Sequence, residues 1–119
     1  MNRAAISLTT GLEDPEKVTV ALLVAVGAAE TGRSTLTFLT KEAVRLATKG
    51  FATGVACEGC PSIPDLMARY EAAGGEFLVC PICFNARQLE DVALSGNARL
   101  GGTIPLWEWI GDGATTFSY

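Results

Sequence analysis

The chain has 119 residues, of which 49% are hydrophobic, and its formal net charge is −4 at pH 7. This length suits a single domain, over residues 1–119, with a hydrophobic core of its own. The acidic balance and the lack of a basic cluster exclude a protein that neutralises nucleic-acid phosphates, so we expect no nucleic-acid partner. The large hydrophobic fraction indicates apolar surface that a partner subunit or a heavily buried sheet would cover.

The sequence predicts neither a membrane segment nor an export signal. The longest uncharged run, residues 18–29, is too short to span a bilayer. The first ten residues contain one Arg and a very short apolar run, which does not resemble a signal peptide. We therefore expect no membrane partner and a cytoplasmic location. Thiols stay reduced in the cytoplasm, so a structural disulfide is the least expected use of the four cysteines.

The spacing of apolar residues predicts strands that alternate with helices. The first helix has a Val-rich centre, which favours a strand, but Asp14 suits its N-cap, Pro15 its first position and Gly32 its end. Residues 50–64, with three Gly and two Pro, predict a loop. The predicted strands are residues 4–10, 34–40, 76–80, 98–101 and 114–119, and the predicted helices are residues 15–31, 41–49, 65–73, 84–93 and 105–110. This alternation implies an α/β fold, with a parallel sheet covered by helices on both faces.

Residues 27–34, GAAETGRS, have the outline of a phosphate-binding loop, with Arg33 where Lys is required. Such a loop follows a strand and precedes a helix, so that backbone N–H groups and the helix N-terminus face the phosphate. The predicted order here is the reverse. We therefore expect Gly27 to lie within a helix, for close packing, and we expect no nucleotide site.

The pair Cys80 and Cys83 is the candidate catalytic group. Cys80 is predicted at the C-terminal end of a strand and just before a helix, at the edge where α/β sheets collect functional sites. The partial positive charge of a helix N-terminus favours the thiolate form, and Cys83 would face the same mouth. Arg87, two turns after Cys80, would either hold an anionic substrate or pair with Glu90 or Asp91.

Three other uses of the cysteines remain open. Cys80 would serve simply as a small buried hydrophobe, as free cysteines often do. Alternatively, two C-x-x-C pairs separated by nineteen residues fit a four-thiolate zinc or iron–sulfur site formed by Cys57, Cys60, Cys80 and Cys83. Against this metal site, a helix and a buried strand separate the pairs, and a chain with this much core needs no metal to fold. We therefore expect no cofactor. The third use is a thiol redox sensor, in which Cys57 or Cys60 resolves Cys80.

Residues 74–87, GGEFLVCPICFNAR, resemble the DsrE/DsrF-like family of small sulfur-metabolism proteins, in its Val-Cys-Pro-x-Cys subgroup. Members commonly read Gly-Gly, a short apolar strand, Val-Cys-Pro-x-Cys and then Ala-Arg, and the likeness extends over nearly the whole chain. The resemblance implies a five-stranded, mostly parallel sheet between two helical layers, and a homo-oligomer that is often a trimer or hexamer.

The same resemblance implies a role for the motif cysteines. Cys80 would hold a sulfane sulfur as a persulfide and pass it to a thiol of a partner protein, and Cys83 would resolve or assist. The resemblance leaves open whether the protein is a catalytic sulfurtransferase. It also implies a partner protein that donates the sulfur to Cys80 or accepts it from Cys80. Relatives often lack cysteines in the loop of Cys57 and Cys60, so no role carries over to that pair.

Overall fold

Five strands form one parallel sheet in residues 2–119, the part of the chain that this computed structural model describes. The strands are β1 (Arg3–Leu8), β2 (Thr35–Leu39), β3 (Glu76–Val79), β4 (Ala98–Leu100) and β5 (Ala114–Ser118). Their order across the sheet is β4-β3-β2-β1-β5. The helices are α1 (Pro15–Glu30), α2 (Ile63–Ala72), α3 (Pro81–Ala86) and α4 (Thr103–Ile110), with a 3₁₀ segment at Lys41–Ala47.

Helices cover both faces of the sheet. On β2, the Thr37 hydroxyl donates a hydrogen bond to the hydroxyl of Tyr70 on α2, at 3.0 Å. The next residue, Phe38, belongs instead to a cluster against which Leu106 and Trp109 of α4 pack. Because successive side chains of a strand point to opposite faces, α2 and α4 lie on opposite sides. Helix α1 packs beside α2 in the larger core cluster. The predicted three-layer α/β fold, with a parallel five-stranded sheet, is confirmed.

Helix α1 begins and ends where its capping residues predict. The Asp14 carboxylate accepts a hydrogen bond from the Lys17 backbone N–H at 3.1 Å, and Gly32 adopts a φ of +95° just after the helix. Gly27 lies inside α1, and β2 follows, so the chain order is the reverse of a phosphate-binding loop. The expected close packing at Gly27 is wrong, because a Cβ there would meet no atom within 4 Å.

The segment predicted as an α-helix over residues 41–49 is a 3₁₀ helix at Lys41–Ala47. Its buried residues are Ala43, Val44, Leu46 and Ala47. They recur at a spacing of three, 43 with 46 and 44 with 47, which fits one face of a 3₁₀ helix and of an α-helix alike. Lys41, the first residue of the segment, has a φ of +53° in the left-handed region, so the segment does not begin as a regular α-helix.

The helix predicted at residues 84–93 is also wrong in its bounds. Helix α3 begins at Pro81, directly after the motif cysteine, and ends at Ala86. Gln88 has a φ of +57°, in the left-handed region, so the backbone leaves the helical conformation there. The remaining predicted elements differ from the observed ones by a few residues at their ends.

Candidate functional site

Cys80 joins the end of β3 to the start of α3. Its backbone N–H donates to the carbonyl of Leu39 at 3.0 Å, which extends the β2–β3 pairing by one residue. Its carbonyl accepts from the Phe84 N–H at 3.0 Å, the first hydrogen bond of α3. Pro81 occupies the first helical position, where a missing N–H costs nothing. Cys80 therefore lies at the C-terminal edge of the sheet, as the sequence predicts.

Cys80 and Cys83 are free thiols with half-buried side chains. Cys80 packs against both core clusters, whereas Cys83 packs against the larger one. Phe84 is buried and anchors α3, while Ile82 points outward with 80% of its surface exposed. A spacing of three residues places Cys80 and Cys83 on the same side of this short helix. Both thiols are thus held at the boundary between core and solvent.

Arg87 pairs with Glu42, rather than with Glu90 or Asp91. Its Nε donates to Glu42 Oε2, and its Nη1 donates to the carbonyl of Cys83 at 3.1 Å. Glu42 also accepts a hydrogen bond from Arg45 Nε at 2.9 Å. The guanidinium of Arg87, and then that of Arg45, hold the pKa of the Glu42 carboxyl below its usual value. The arrangement ties α3, which carries Cys83, to the segment that follows β2.

The loop between β1 and α1 forms a further side of this edge. A Cβ on Gly11 would lie 2.7 Å from the backbone oxygen of Glu42, so only glycine fits this approach. The Gly11 N–H donates to the Glu13 carboxylate at 2.8 Å. Thr9 donates to the carbonyl of Tyr119 from its backbone N–H at 3.0 Å, and its hydroxyl donates at 3.1 Å. The hydrogen bonds to Tyr119 thus fix the start of the loop, and Gly11 packs closely against the backbone of Glu42.

The sequence reasoning missed Glu42 and Gly11, although a signal for Glu42 exists. Glu42 follows the C-terminal end of β2 by three residues, at the same sheet edge that singled out Cys80. The rule used for Cys80 applies equally to polar residues after the neighbouring strands. For Gly11 the sequence signals only the end of a strand. Its close contact is with the backbone oxygen of Glu42, 31 positions further along the chain, which local sequence does not reveal.

The other cysteine pair forms a disulfide within a tight turn. Cys57 and Cys60 are bonded, with their Cα atoms 5.2 Å apart, and the Cys60 N–H donates to the Cys57 carbonyl at 3.0 Å. Gly59, the third residue of the turn, has a φ of +77°, which glycine adopts without strain. The sequence predicts that a disulfide is the least expected use of the cysteines, and this prediction is wrong for Cys57 and Cys60. The turn brings the two Cα atoms within the distance that a disulfide spans.

The four cysteines do not assemble into one site. Within residues 2–119, no three His, Cys, Asp or Glu side chains come together in a way that would hold a metal ion. Cys57 and Cys60 are bonded to each other, whereas zinc ligation requires free thiolates. The alternative of a four-cysteine zinc site therefore has no geometric support in the described residues. A redox sensor in which Cys57 or Cys60 resolves Cys80 would, when oxidised, contain a disulfide to Cys80. Residues 2–119 contain no such bond, since Cys57 and Cys60 are bonded to each other and Cys80 is free.

The helices of residues 2–119 are all too short or too polar to cross a membrane. The longest of them, α1, has 16 residues, fewer than the roughly 20 apolar residues that a bilayer requires.

Comparison with known proteins places the chain in a family. The family model described as DsrE/DsrF-like matches residues 2–119. The crystal structure of the YchN protein from E. coli is similar in fold, with a TM-score of 0.82 and 18% sequence identity, over 100% of each chain. No curated protein sequence matches this chain significantly. Because the family model spans every described residue and the fold agrees, the chain belongs to the DsrE/DsrF-like family.

Proposed function

We propose that this protein is a sulfur carrier, which holds a sulfane sulfur as a persulfide on Cys80 and passes it to a thiol of a partner protein. Membership of the DsrE/DsrF-like family suggests a role in sulfur relay in general. The observation that carries the finer proposal is the position of Cys80, a free, half-exposed thiol at the C-terminal sheet edge. Such edges are where open α/β sheets bind and transform their ligands.

Loading is a thiol exchange at sulfur. The Cys80 thiolate attacks the outer sulfur of a donor persulfide, a new S–S bond forms on Cys80, and the donor leaves as a thiolate. Unloading to a partner is the same reaction in reverse, with the partner's thiolate as the attacking group. Cys80 is only partly buried, as a thiol that meets a donor or an acceptor from solvent must be.

Cys83 offers a second route for unloading. Its thiolate attacks Cys80 Sγ, which forms a Cys80–Cys83 disulfide and releases the outer sulfur as hydrosulfide. A dithiol reductant then restores both thiols. Cys80 is the N-cap of α3 and Cys83 its third residue, so both thiols of this route belong to one short segment.

Arg87 supports this site by holding α3 in place. Its guanidinium donates two hydrogen bonds within the protein, one to Glu42 and one to the Cys83 carbonyl. We therefore assign Arg87 to positioning the cysteine-bearing helix, and its contact with an anionic donor is not needed for the mechanism. No metal or organic cofactor takes part in the proposed reaction.

The proposed partners are a sulfur donor or acceptor protein and further copies of the chain, as a trimer or hexamer in the cytoplasm. Exposed apolar side chains support self-association. Helix α4 has no buried residue, and Ile104 and Trp107 expose 72% and 68% of their surface. A surface of this kind usually lies in an interface.

The test is loading from a low-molecular-weight persulfide, such as glutathione persulfide, followed by mass spectrometry of the intact protein. We expect one added sulfur per chain in the wild type, removed by dithiothreitol. Cys80→Ser should abolish the addition, whereas a Cys57→Ser/Cys60→Ser variant, which keeps Cys80, should still load. Loading that persists in Cys80→Ser would sink the assignment.

A further inference from the structure

The disulfide lies at the tip of a small lobe, residues 56–62, whose base is closed independently. The Ile63 N–H donates to the Val55 carbonyl at 2.9 Å, and the Ile63 side chain is fully buried in the core. The Val55 N–H in turn donates to the Ala52 carbonyl at 3.0 Å. The lobe is therefore anchored without its disulfide, and opening the S–S bond need not unfold the base.

Each sulfur of this disulfide faces an oxygen that can accept a hydrogen bond. Cys57 Sγ lies 3.8 Å from Thr19 Oγ1 on α1, and Cys60 Sγ lies 3.7 Å from the Glu58 carbonyl oxygen. The Thr19 hydroxyl donates its own hydrogen to the Pro15 carbonyl at 2.7 Å, so its oxygen is left as an acceptor. A disulfide sulfur has no hydrogen to donate. These contacts become hydrogen bonds only in the dithiol form.

The lobe therefore accommodates both redox states. The turn of Cys57 and Cys60 holds the disulfide at a Cα distance of 5.2 Å, and the acceptors Thr19 and Glu58 are in place for the two thiols. A disulfide between residues three positions apart removes less conformational entropy from the unfolded chain than one that closes a long loop, so this bond is poorly suited to stapling the fold. Within a reducing compartment, disulfides that persist are usually catalytic or redox-sensing.

We infer that Cys57 and Cys60 form a second, self-contained redox site, a disulfide that dithiol reductants open and small disulfides re-form, independently of Cys80 and Cys83. The inference does not rest on the persulfide proposal. It differs from a sensor that pairs these residues with Cys80, because both partners of the couple lie within one turn.

The two-electron step balances as ordinary thiol–disulfide exchange. A thiolate of the reductant attacks Cys60 Sγ, whose contact with Glu58 is exposed whereas that of Cys57 with Thr19 is partly buried, and Cys57 leaves as a thiolate that takes up a proton beside Thr19. The second thiol of the reductant then attacks the mixed disulfide and releases Cys60, so the reductant ends as a disulfide. Oxidised glutathione reverses the reaction and leaves as two reduced glutathione molecules.

The test measures the dithiol–disulfide equilibrium of Cys57 and Cys60 in the native protein. Wild type and a Cys80→Ser/Cys83→Ser variant are equilibrated in glutathione buffers of increasing oxidised fraction, and free thiols are trapped by alkylation. Trypsin separates the two pairs, because Cys57 and Cys60 fall in residues 50–69 and Cys80 and Cys83 in residues 70–87. We expect the peptide of residues 50–69 to pass from dithiol to disulfide at the same buffer ratio in both proteins.

A pair of substitutions on α1 tests the role of the hydroxyl. Thr19→Val removes the acceptor for the Cys57 thiol and should shift the equilibrium about threefold toward the disulfide, whereas Thr19→Ser should leave it unchanged. Equal ratios in the two variants would overturn the part of the inference that concerns Thr19.

Three results would overturn the inference as a whole. They are a disulfide that dithiothreitol cannot open without denaturant, a pair that stays reduced in every buffer, and oxidation that requires Cys80 or Cys83. The first would make the bond a structural staple, and the last would restore the Cys80-linked sensor. Failure of persulfide loading on Cys80 would leave this result untouched.

Discussion

At the scale of single residues, Glu42 links two arginines at the edge that carries Cys80. It pairs with Arg87 across 45 positions of sequence and with Arg45 within the 3₁₀ segment. Because the side chain of Glu42 is 42% exposed, solvent screens both pairs and the gain in stability is modest. The stronger effect of Glu42 concerns geometry, since the pair with Arg87 holds α3 against the 3₁₀ segment.

We predict that Glu42→Gln lowers the free energy of unfolding by about 0.5–1 kcal/mol at neutral pH. The pKa of Glu42 is lowered in the folded state, so its stabilising contribution is complete above its ordinary value of 4.5 and is lost as the pH falls through the lowered pKa. Urea titrations of both proteins across pH measure this difference.

The matched control is Glu90→Gln, which removes an exposed carboxylate near Arg87 in sequence. It should change the free energy of unfolding by less than Glu42→Gln at neutral pH, and the effects of the two variants should converge once Glu42 is protonated in the folded state. A difference between wild type and Glu42→Gln that stayed constant down to acidic pH would contradict the proposed ion pairing.

Two glycines in different surroundings give a second test at this scale. A Cβ on Gly75 would collide with the ring of Tyr70, which is buried and whose hydroxyl donates to the Glu76 carbonyl at 2.7 Å. We predict that Gly75→Ala lowers the free energy of unfolding by about 2 kcal/mol or more. Gly27→Ala, in open space on α1, should instead raise it by about 0.5–1 kcal/mol. Chemical denaturation measures both, and equal effects would contradict the packing described around Tyr70.

At the scale of elements, sequence patterns predicted the position of Cys80 but not its surroundings. Local signals marked β3 and the proline that opens α3, so Cys80 was correctly placed at a strand end. The end of α3 was missed because Gln88 adopts a left-handed conformation, which residue type alone does not signal. The Arg87–Glu42 pair was missed because it depends on which strands lie side by side. The spacing of Cys57 and Cys60 fits a metal knuckle as well as a disulfide turn.

The backbone at the end of α3 provides a prediction at this scale. Gln88 has a φ of +57°, a conformation that costs a side-chain-bearing residue energy and glycine little. We predict that Gln88→Gly raises the free energy of unfolding by about 0.5–1 kcal/mol, whereas Gln88→Ala gives no such gain. Thermal or urea unfolding of the two variants checks this, and a gain from alanine equal to that from glycine would refute it.

At the scale of the whole molecule, the hydrophobic fraction and the surface of α4 point to self-association. Ile104 and Trp107 lie exposed on α4, the helix whose Leu106 and Trp109 pack against the sheet. Burying the large Trp107 side chain in an interface would contribute to the free energy of association, because tryptophan is often a dominant residue in protein–protein binding.

We predict that the wild type sediments as a trimer or hexamer and that Trp107→Glu shifts it toward smaller species at the same concentration. The charge would have to be buried unpaired, which is costly. Glu108→Gln, a change of the adjacent exposed residue, should leave the mass unchanged. Analytical ultracentrifugation measures both, and an unchanged mass for Trp107→Glu would remove α4 from the interface.

The most direct test of the sulfur-carrier account is to locate sulfur in protein purified anaerobically without reductant. The protein is alkylated and digested, and the tryptic peptide of residues 70–87 is fragmented, so that Cys80 and Cys83 are read separately. The account predicts one extra sulfur on Cys80, none on Cys83, and loss of the signal after dithiothreitol. Sulfur on Cys83 alone, or only within residues 50–69, would contradict it.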